Sequence, residues 1–548
     1  MNYQRNGLGV AITAVLALAG CGTALEQDKG VGTSTAFHAR IVDGYLAGSL
    51  VFVDSNDNGV LDAWEERAFT DRDGFVSASA SGKDYCAAGA PATDAVHCLK
   101  VRPADALKIR ASGGYDMSTG EPFNGALSLD TTRASGSDST KPVIASPLTT
   151  LLAGLDAVDK QTVITKFGLS SAGVSAGLFD ADFMSLSSGN TTEDQRKLLT
   201  AAMQVQKSVE VISSFLTKVY DGTDRGYSGL GKNAALPRDA SEFVYAAYAD
   251  LLASKTKSLD VNGLASAPDG IKTIIDGAND RIKARIADVT KKAIAEIVGD
   301  PTMLASLDGR KGNISNLGSS TAVLFVGGTN SPAVTALDNK QVAARLRAIN
   351  IAVAVARDTD VAKVPGSRVD DALNAATGDS AYLTSLEKEV DLARLAQKFK
   401  DGDVAGAKGA ASATRVTVDS ALKISADKDS TTKLDLNDPG KGNLAMAFTT
   451  TSFETVDNVT KATGGTLAMD VKDFSGGGDL FKKTDGAPTS VPGTWEKLND
   501  YSLLVTIEPI PGVKQQAVVK PTLDADGVTT KYFFDYGGKQ YEWKGAVP

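Results

Sequence analysis

The sequence predicts a multidomain α+β protein with an N-terminal β-sandwich, a central all-α helical region and a C-terminal all-β domain. Residue composition and hydrophobic periodicity change twice along the 548 residues, and these changes support the prediction. Short β-branched runs separated by Gly and Asp give way to Ala-rich segments with helical periodicity, and these give way to aromatic strands broken by turns. We therefore place a β-sandwich at 38–145, a helical domain at 146–430 and a β domain at 431–548.

The N-terminus has the features of a signal peptide. Residues 1–20 carry the basic Arg5 and an apolar run that is too short to span a bilayer. The run ends at Leu18-Ala19-Gly20-Cys21, which resembles the lipobox of bacterial lipoproteins. The resemblance implies that Cys21 is acylated and that residues 21–37 form a lipidated tether, while an ordinary signal peptide is the alternative. Because Gly22 and not Asp follows the cysteine, similarity to Gram-negative lipoproteins implies the outer membrane, at the cell surface.

Charge and hydropathy restrict the partners of the chain. With 57 basic and 66 acidic residues the formal charge is −9, which argues against a nucleic-acid partner. After the signal peptide no apolar run reaches membrane-spanning length, so the lipid is the expected membrane attachment. Self-association and contact with other surface proteins stay open.

Two cysteines follow Cys21. In an exported chain Cys86 and Cys98 are expected to form one disulfide that closes a small loop, and two free thiols are the alternative. A metal site is disfavoured because His97 and Cys98 lack a second pair of ligands at a suitable spacing.

The most informative motif is the stretch 54–65, which we call the acidic loop. It matches the calcium pattern D-x-[DN]-x-[DN]-G-x5-E at every position. Calcium takes six to eight oxygen ligands at about 2.3–2.6 Å, and short side chains at alternate positions supply them when the chain coils. The predicted Ca²⁺ ligands are Asp54, Asn56, Asn58, the backbone carbonyl of Val60, Asp62 and Glu65.

The alternative for the acidic loop is a metal-free turn rich in Asn and Asp. If calcium binds, the strand-like flanks favour a structural brace over a switch, because there is no pair of helices to open. Leu61 is expected to anchor the loop to the core. Asp71 and Asp73 are candidate additional ligands, although a turn that starts a strand is the favoured interpretation.

Several motifs around the acidic loop carry a family resemblance. Asp43-Gly44-Tyr45-Leu46, the Val51–Asp54 segment and the Thr70–Gly74 turn resemble the prealbumin-like β-sandwich modules of bacterial surface proteins, such as the B-type modules of serine-aspartate repeat proteins and collagen adhesins. The stretch 113–125, followed by 146–150, resembles a longer block of large secreted proteins. The resemblance covers about residues 40–215 and implies a calcium-braced module on the cell surface.

The helical region is defined by apolar stripes. Thr192 precedes Gln195 by three residues and Asp239 precedes Glu242 by three, and both spacings indicate capping boxes. Further helices are expected at 338–357 and 384–400. The stripes are core positions of two helices: Leu198, Ala202, Val205, Val209, Ile212, Leu216 and Val219; then Ile271, Ile275, Ala278, Ile282, Ile286, Val289, Ala293 and Ile297.

The C-terminal region has the pattern of a β domain of sandwich size, about 105 residues past Asn443. Turns such as 524–527 and 537–538 separate its strands. The expected strands are Ala445–Phe453, Thr466–Phe474, Tyr501–Ile507, Gln515–Lys520, Lys531–Tyr536 and Gln540–Trp543.

The sequence does not predict an enzyme. Its two histidines, His38 and His97, lie in no catalytic motif, and the Gly-rich segment 226–231 is expected to be an interhelical loop. Three functions remain: a structural or adhesive outer-membrane lipoprotein, a self-assembling subunit of an extracellular filament or matrix, and a solute-binding lipoprotein. A concave pocket with convergent polar groups would favour the last.

Overall fold

The structure is a computed structural model. It describes residues 34–102, 108–130, 142–153, 155–166, 182–184, 193–221, 229–254, 268–326, 337–358, 364–387, 391–413, 416–438, 442–456, 458–472, 490–499, 502–510, 513–523, 530–536, 539–544 and 546–547.

The N-terminal region is built from short strands in a sandwich-like arrangement. Its elements are β1 Thr35–Ala36, β2 Ala39–Ile41, β3 Leu46–Ala47, β4 Leu50–Asp54, β5 Arg67–Phe69, β6 Phe75–Val76, α1 Ala92–Ala95, β7 Lys100–Val101, β8 Lys108–Ser112, β9 Tyr115–Asp116, β10 Ala126–Asp130 and β11 Val143–Ala145. A four-stranded sheet has the order β10-β8-β4-β5 and a three-stranded sheet the order β11-β2-β6, in which β11 is parallel to β2. Two smaller pairs are β1-β7 and β3-β9.

The central region is helical, as predicted. Its helices are α2 Pro147–Leu152, α3 Ala157–Lys166, α4 Glu193–Val219, α5 Ser241–Ala253, α6 Pro268–Thr290, α7 Pro301–Gly309, α8 Lys311–Val326, α9 Asn339–Ala356, α10 Ser367–Gly378, α11 Ser380–Ser385, α12 Leu392–Asp401, α13 Val404–Ser412 and α14 Val418–Leu422. The stripe predicted on α4 is confirmed, because each of its seven residues is buried.

Three local predictions in this region were wrong. The second predicted stripe, Ile271 to Ile297, extends past the end of its helix: α6 ends at Thr290, Lys291 adopts a φ of +58°, and a 3-10 turn follows at Ile294–Glu296. The helix expected at 384–400 is divided between α11 and α12. At α5 the residue before the helix is Ala240, and Glu242 pairs with Arg110 and so forms no capping box with Asp239. Thr192 lies outside the described residues.

The N-terminal strands and the helices share one hydrophobic core. A continuous cluster of buried side chains extends from Phe37 to Ala411. At the start of α2, Ser146 and Thr149 form a capping box and the helix itself is fully buried. The strands are therefore packed against helices on an extended surface, and this surface brings loops of the β region next to α4, α5 and α6.

The C-terminal region is one curled antiparallel sheet. Its strands are β12 Thr431–Asp438, β13 Gly442–Val456, β14 Val459–Lys472, β15 Ser490–Asn499, β16 Ser502–Ile510, β17 Val513–Leu523, β18 Thr530–Tyr536, β19 Lys539–Lys544 and β20 Ala546–Val547. All six predicted strands are present, and β12, β15 and β20 are additional. The order is β19-β18-β17-β16-β15-β14-β13-β12-β20, and since one residue separates β19 from β20, the two ends of the sheet meet. This differs from the sandwich-sized unit expected, which would have two sheets.

The curled sheet has its own core, into which α14 inserts. Val418 and Leu422 of α14 join the buried cluster, where Trp495 packs edge-to-face on Phe448 at 6.0 Å between ring centroids. Lys497 pairs with Asp419 at 2.8 Å and fixes the helix to the sheet. Among the described helices, none combines the length and the apolarity needed to cross a membrane.

Candidate metal centre

The acidic loop leaves the sheet at the end of β4 and returns to it at β5. Asp57 and Gly59 have positive φ values of +54° and +74°, so the chain coils tightly where the pattern requires glycine. The first and last residues are buried, with Asp54 1 % and Glu65 6 % exposed. The loop therefore has a defined conformation with its two terminal carboxylates turned inward.

Those two carboxylates close the loop. Asp54 accepts hydrogen bonds from the backbone N–H groups of Asn58 at 2.9 Å and Gly59 at 2.8 Å. Glu65 accepts from the N–H of Ser55 at 2.7 Å through Oε1, and from the N–H of Asp62 at 3.0 Å through Oε2. Since Ser55 and Glu65 are ten residues apart in sequence, Glu65 ties the two ends of the acidic loop together.

The middle of the loop brings three polar side chains to one point. The amide nitrogens of Asn56 and Asn58 both donate to Oδ2 of Asp62, at 2.9 and 3.0 Å. Oδ1 of Asn58 accepts from the N–H of Val60 at 2.7 Å. An amide flip exchanges donor and acceptor, so Asn56 and Asn58 are able to present oxygens as well as nitrogens to this point.

The donor set fits calcium in chemistry and order, because every predicted ligand atom is an oxygen and the side chains alternate along a coiled loop. In the part of the chain that the structure describes, no three His, Cys, Asp or Glu side chains gather as a metal-binding group. The carboxylates of the predicted ligands Asp54, Asp62 and Glu65 each accept hydrogen bonds from N–H groups of the loop itself. Burial raises the pKa of Glu65 above its ordinary value against the effect of its backbone hydrogen bonds, and the nearby Asp54 and Asp62 raise it further.

Arg110 on β8 connects the acidic loop to the helices. Its Nε donates to Asp54, and its other nitrogens pair with Asp57 at 3.0 Å and with Glu242 of α5 at 2.5 Å. Burial disfavours the charged form of Arg110 and lowers its pKa. The negative charges of Glu242 and Asp54 have the larger combined effect, so the pKa of Arg110 is raised. Arg285 of α6 donates to the carbonyl of Asn58 at 2.9 Å. Two helices therefore contact the loop.

Sequence reasoning missed Arg110, Glu242 and Arg285. Arg110 and Glu242 are 132 residues apart and Arg285 is 227 residues from Asn58, so no local pattern joins them. Leu61 is half-buried and lines a cavity of about 350 Å³ between the acidic loop and residues 231–242, so its side chain packs only in part.

Asp71 and Asp73 form the turn that the sequence favoured. Oδ1 of Asp71 accepts from the N–H groups of Asp73 and Phe75, both at 2.9 Å, and Oδ2 accepts from the Tyr85 hydroxyl at 2.8 Å. Both oxygens of Asp71 are thereby used within the turn that begins β6.

Cys86 and Cys98 form a disulfide, as predicted, with their Cα atoms 5.0 Å apart. Next to it, His97 lies against Tyr85 at 5.0 Å between ring centroids, and its Nδ1 is 2.8 Å from the carbonyl oxygen of Phe69. His97 therefore has a packing role beside the disulfide. Cys21 lies outside the described residues.

Comparisons with known proteins identify no relative of this chain. No protein-family model matches the chain, and searches of curated proteins and of solved structures find no significant match.

Proposed function

We propose that this chain is a lipoprotein of the outer membrane with a structural or adhesive role at the cell surface, braced by calcium in the acidic loop. The observation that supports the brace is the position of the loop. Asp54 and Asp57 pair with Arg110, and Arg110 in turn pairs with Glu242 on α5. A cation bound by the acidic loop would fix its conformation and so stiffen the contact between the N-terminal sheet and the helices.

The lipid anchor and the calcium chemistry come from the sequence motifs at 18–21 and 54–65. Acyl chains contribute about 0.8 kcal/mol per buried methylene, so a multiply acylated Cys21 holds the protein durably at a membrane. Extracellular modules bind calcium with dissociation constants of about 10⁻⁴–10⁻³ M, which suits a brace that stays occupied outside the cell.

Surface attachment of cells tests this function. Four strains are compared: the parent, a deletion strain, and the deletion strain complemented with the wild-type gene or with Glu65→Gln. Protease treatment of intact cells measures exposure, and adhesion to a solid surface is measured across a calcium series. We expect both complemented strains to expose the protein and the Glu65→Gln strain to attach less at limiting calcium. Equal attachment of the deletion and parent strains would show that the adhesive role is wrong.

A solute-binding role is the second candidate, supported by a cleft of about 920 Å³ between the N-terminal strands and the outer face of the C-terminal sheet. Polar groups converge on it, among them Arg72, His97 and Glu496. Its volume is within the range of small-molecule sites. Native mass spectrometry of the protein purified from its host tests this role: a small molecule that leaves on denaturation supports it, and an unliganded mass contradicts it.

A further inference from the structure

A second polar site lies away from the acidic loop, where the N-terminal strands meet α4 and α9. It is a cavity of about 110 Å³. Asp43 and Asp116 enter from the β region, Lys207 and Glu210 from α4, and Asn350 from α9. Asp43 and Asp116 belong to two of the motifs singled out in the sequence, 43–46 and 113–125, which β3-β9 pairing brings together.

Two oxygen atoms in this cavity lack hydrogen-bond partners among the described residues. They are Oδ1 of Asp43, whose side chain is 2 % exposed, and Oδ1 of Asn350. By contrast, Oδ1 of Asp116 accepts from the N–H of Ser118 at 2.7 Å and its Oδ2 from Thr119 Oγ1 at 2.9 Å. A buried acceptor without a donor is costly, so each of the two oxygens requires a hydrogen-bond donor.

The charges around the cavity do not balance. Lys207 lies 3.6 Å from Asp43 and 3.3 Å from Glu210, and Arg357 lies 3.0 Å from Glu210. Two cations thus face three carboxylates, those of Asp43, Asp116 and Glu210. A fourth lining carboxylate, Glu121, has Lys520 as a partner outside the cavity at 3.5 Å. Burial raises the pKa of both Asp43 and Asp116, while Lys207 and, for Asp116, Arg347 outside the lining oppose this change. Above neutral pH, where these carboxyls ionise, the lining side chains carry more negative than positive charge, which favours a cationic occupant.

We propose that this cavity is a binding site for a small primary ammonium ion, one whose N–H groups donate to Asp43 and Asn350. A metal ion fits less well, because calcium requires six to eight oxygens and the described residues place no metal-binding group of three acidic, His or Cys side chains here. The volume admits few atoms, since one water takes up about 30 Å³ of liquid. Lys207 already places one ammonium group between two of the same carboxylates.

Access to the site is from the surface. Exposed Asn124 lines the cavity together with half-buried Ala354 and Arg357. A small ion can therefore enter without unfolding of the region. This inference does not depend on the acidic loop, which shares no residue with the cavity.

Equilibrium dialysis of the mature protein with radiolabelled methylammonium chloride, above neutral pH and at constant ionic strength, tests the proposal. We expect one saturable equivalent, displaced by ammonium chloride but not by equal concentrations of potassium, sodium or tetramethylammonium chloride, since those cations lack N–H donors. Asp43→Asn should weaken binding about tenfold or more, because it removes a charged acceptor. Glu65→Gln, in the acidic loop, should bind like wild type.

Ala354→Leu is a second variant that blocks the cavity without touching a polar group, and circular dichroism verifies that each variant is folded. Loss of binding in both folded variants supports the site. Absence of saturable binding to wild type would mean that the cavity holds only water. Displacement by potassium as readily as by ammonium, or unchanged binding in Asp43→Asn or Ala354→Leu, would also overturn the proposal.

Discussion

Arg110 and Asp54 form a buried ion pair that links β8 to the first residue of the acidic loop, and Arg110 extends the link to Glu242 on α5. One guanidinium thus joins the predicted calcium ligands to the helical region. The five N–H donors and permanent charge of a guanidinium suit this role, whereas a lysine would offer a single ammonium nitrogen. Substitutions on either side of this link should therefore change the stability of the folded protein.

Glu65→Gln should remove most of the stabilisation that calcium confers. Glu65 is the last position of the acidic loop and the predicted bidentate ligand, and Gln keeps its size. Binding to the folded state alone stabilises it by about 2.7 kcal/mol at a hundredfold excess of ion over Kd. Thermal melting of wild type with calcium and with chelator should differ, and the variant should show little difference. Glu66→Gln, at the exposed neighbouring position, is the matched control and should behave as wild type.

Identical melting of wild type with calcium and with chelator, together with no metal on direct elemental analysis, would mean that the acidic loop is a turn held only by its own hydrogen bonds.

Arg110→Gln should destabilise the protein by about 3 kcal/mol, because it leaves the buried Asp54 and the half-buried Glu242 without their cation. Arg281→Gln is the control, since its ion pair with Asp250 is exposed and should contribute under about 1 kcal/mol. Urea unfolding followed by circular dichroism measures both. Equal midpoints for the two variants would argue that the link at Arg110 adds nothing beyond a surface contact.

Replacement of Cys86 and Cys98 together by serine should lower stability by about 3 kcal/mol in the chain-entropy model, because a short closed loop regains its freedom in the unfolded state. Free-thiol labelling of the denatured, unreduced wild type should find neither cysteine reactive. Two labelled thiols, or a double variant as stable as wild type, would contradict the prediction.

Asp43 should make the protein less stable as pH rises through neutrality. Burial raises its pKa from 3.8 to about 7; Lys207 opposes this change, and Asp116 and Glu210 add to it. Between those two values the folded state binds more protons than the unfolded state, so this stabilisation is complete below about pH 4 and is lost as pH rises through about 7.

Asp43→Asn carries a neutral side chain of the same size as the protonated acid. It is therefore the control when the melting temperature of wild type is measured as a function of pH. Its melting temperature should match that of wild type below about pH 4 and exceed it by a margin that grows as pH rises to about 7 and is constant above that. The difference should be equivalent to at most roughly 4 kcal/mol, because each tenfold change in proton affinity corresponds to about 1.36 kcal/mol. A difference between the two proteins that stays constant with pH would show that Asp43 titrates normally.

Local sequence patterns predicted much of the secondary structure. The burial of the α4 stripe and all six predicted C-terminal strands follow from side-chain periodicity, which acts between near neighbours. Strand β15 was missed because Pro492 and Gly493 interrupt it, and these residues normally argue against a strand. In the structure Gly493 is required there, since a Cβ would lie 2.3 Å from the carbonyl oxygen of Thr506.

The order of oxygen donors in the acidic loop follows from the amino-acid sequence, because ligands within twelve residues are positioned by local coiling. The pairing of Cys86 with Cys98 follows from it too, since they are the two cysteines after Cys21. The meeting of Arg110, Glu242 and Arg285 at that loop, and of Asp43 with Lys207 in a cavity, depends on the folded chain. These contacts join residues far apart in sequence, and they exist only once the N-terminal strands and the helices bury a common apolar surface.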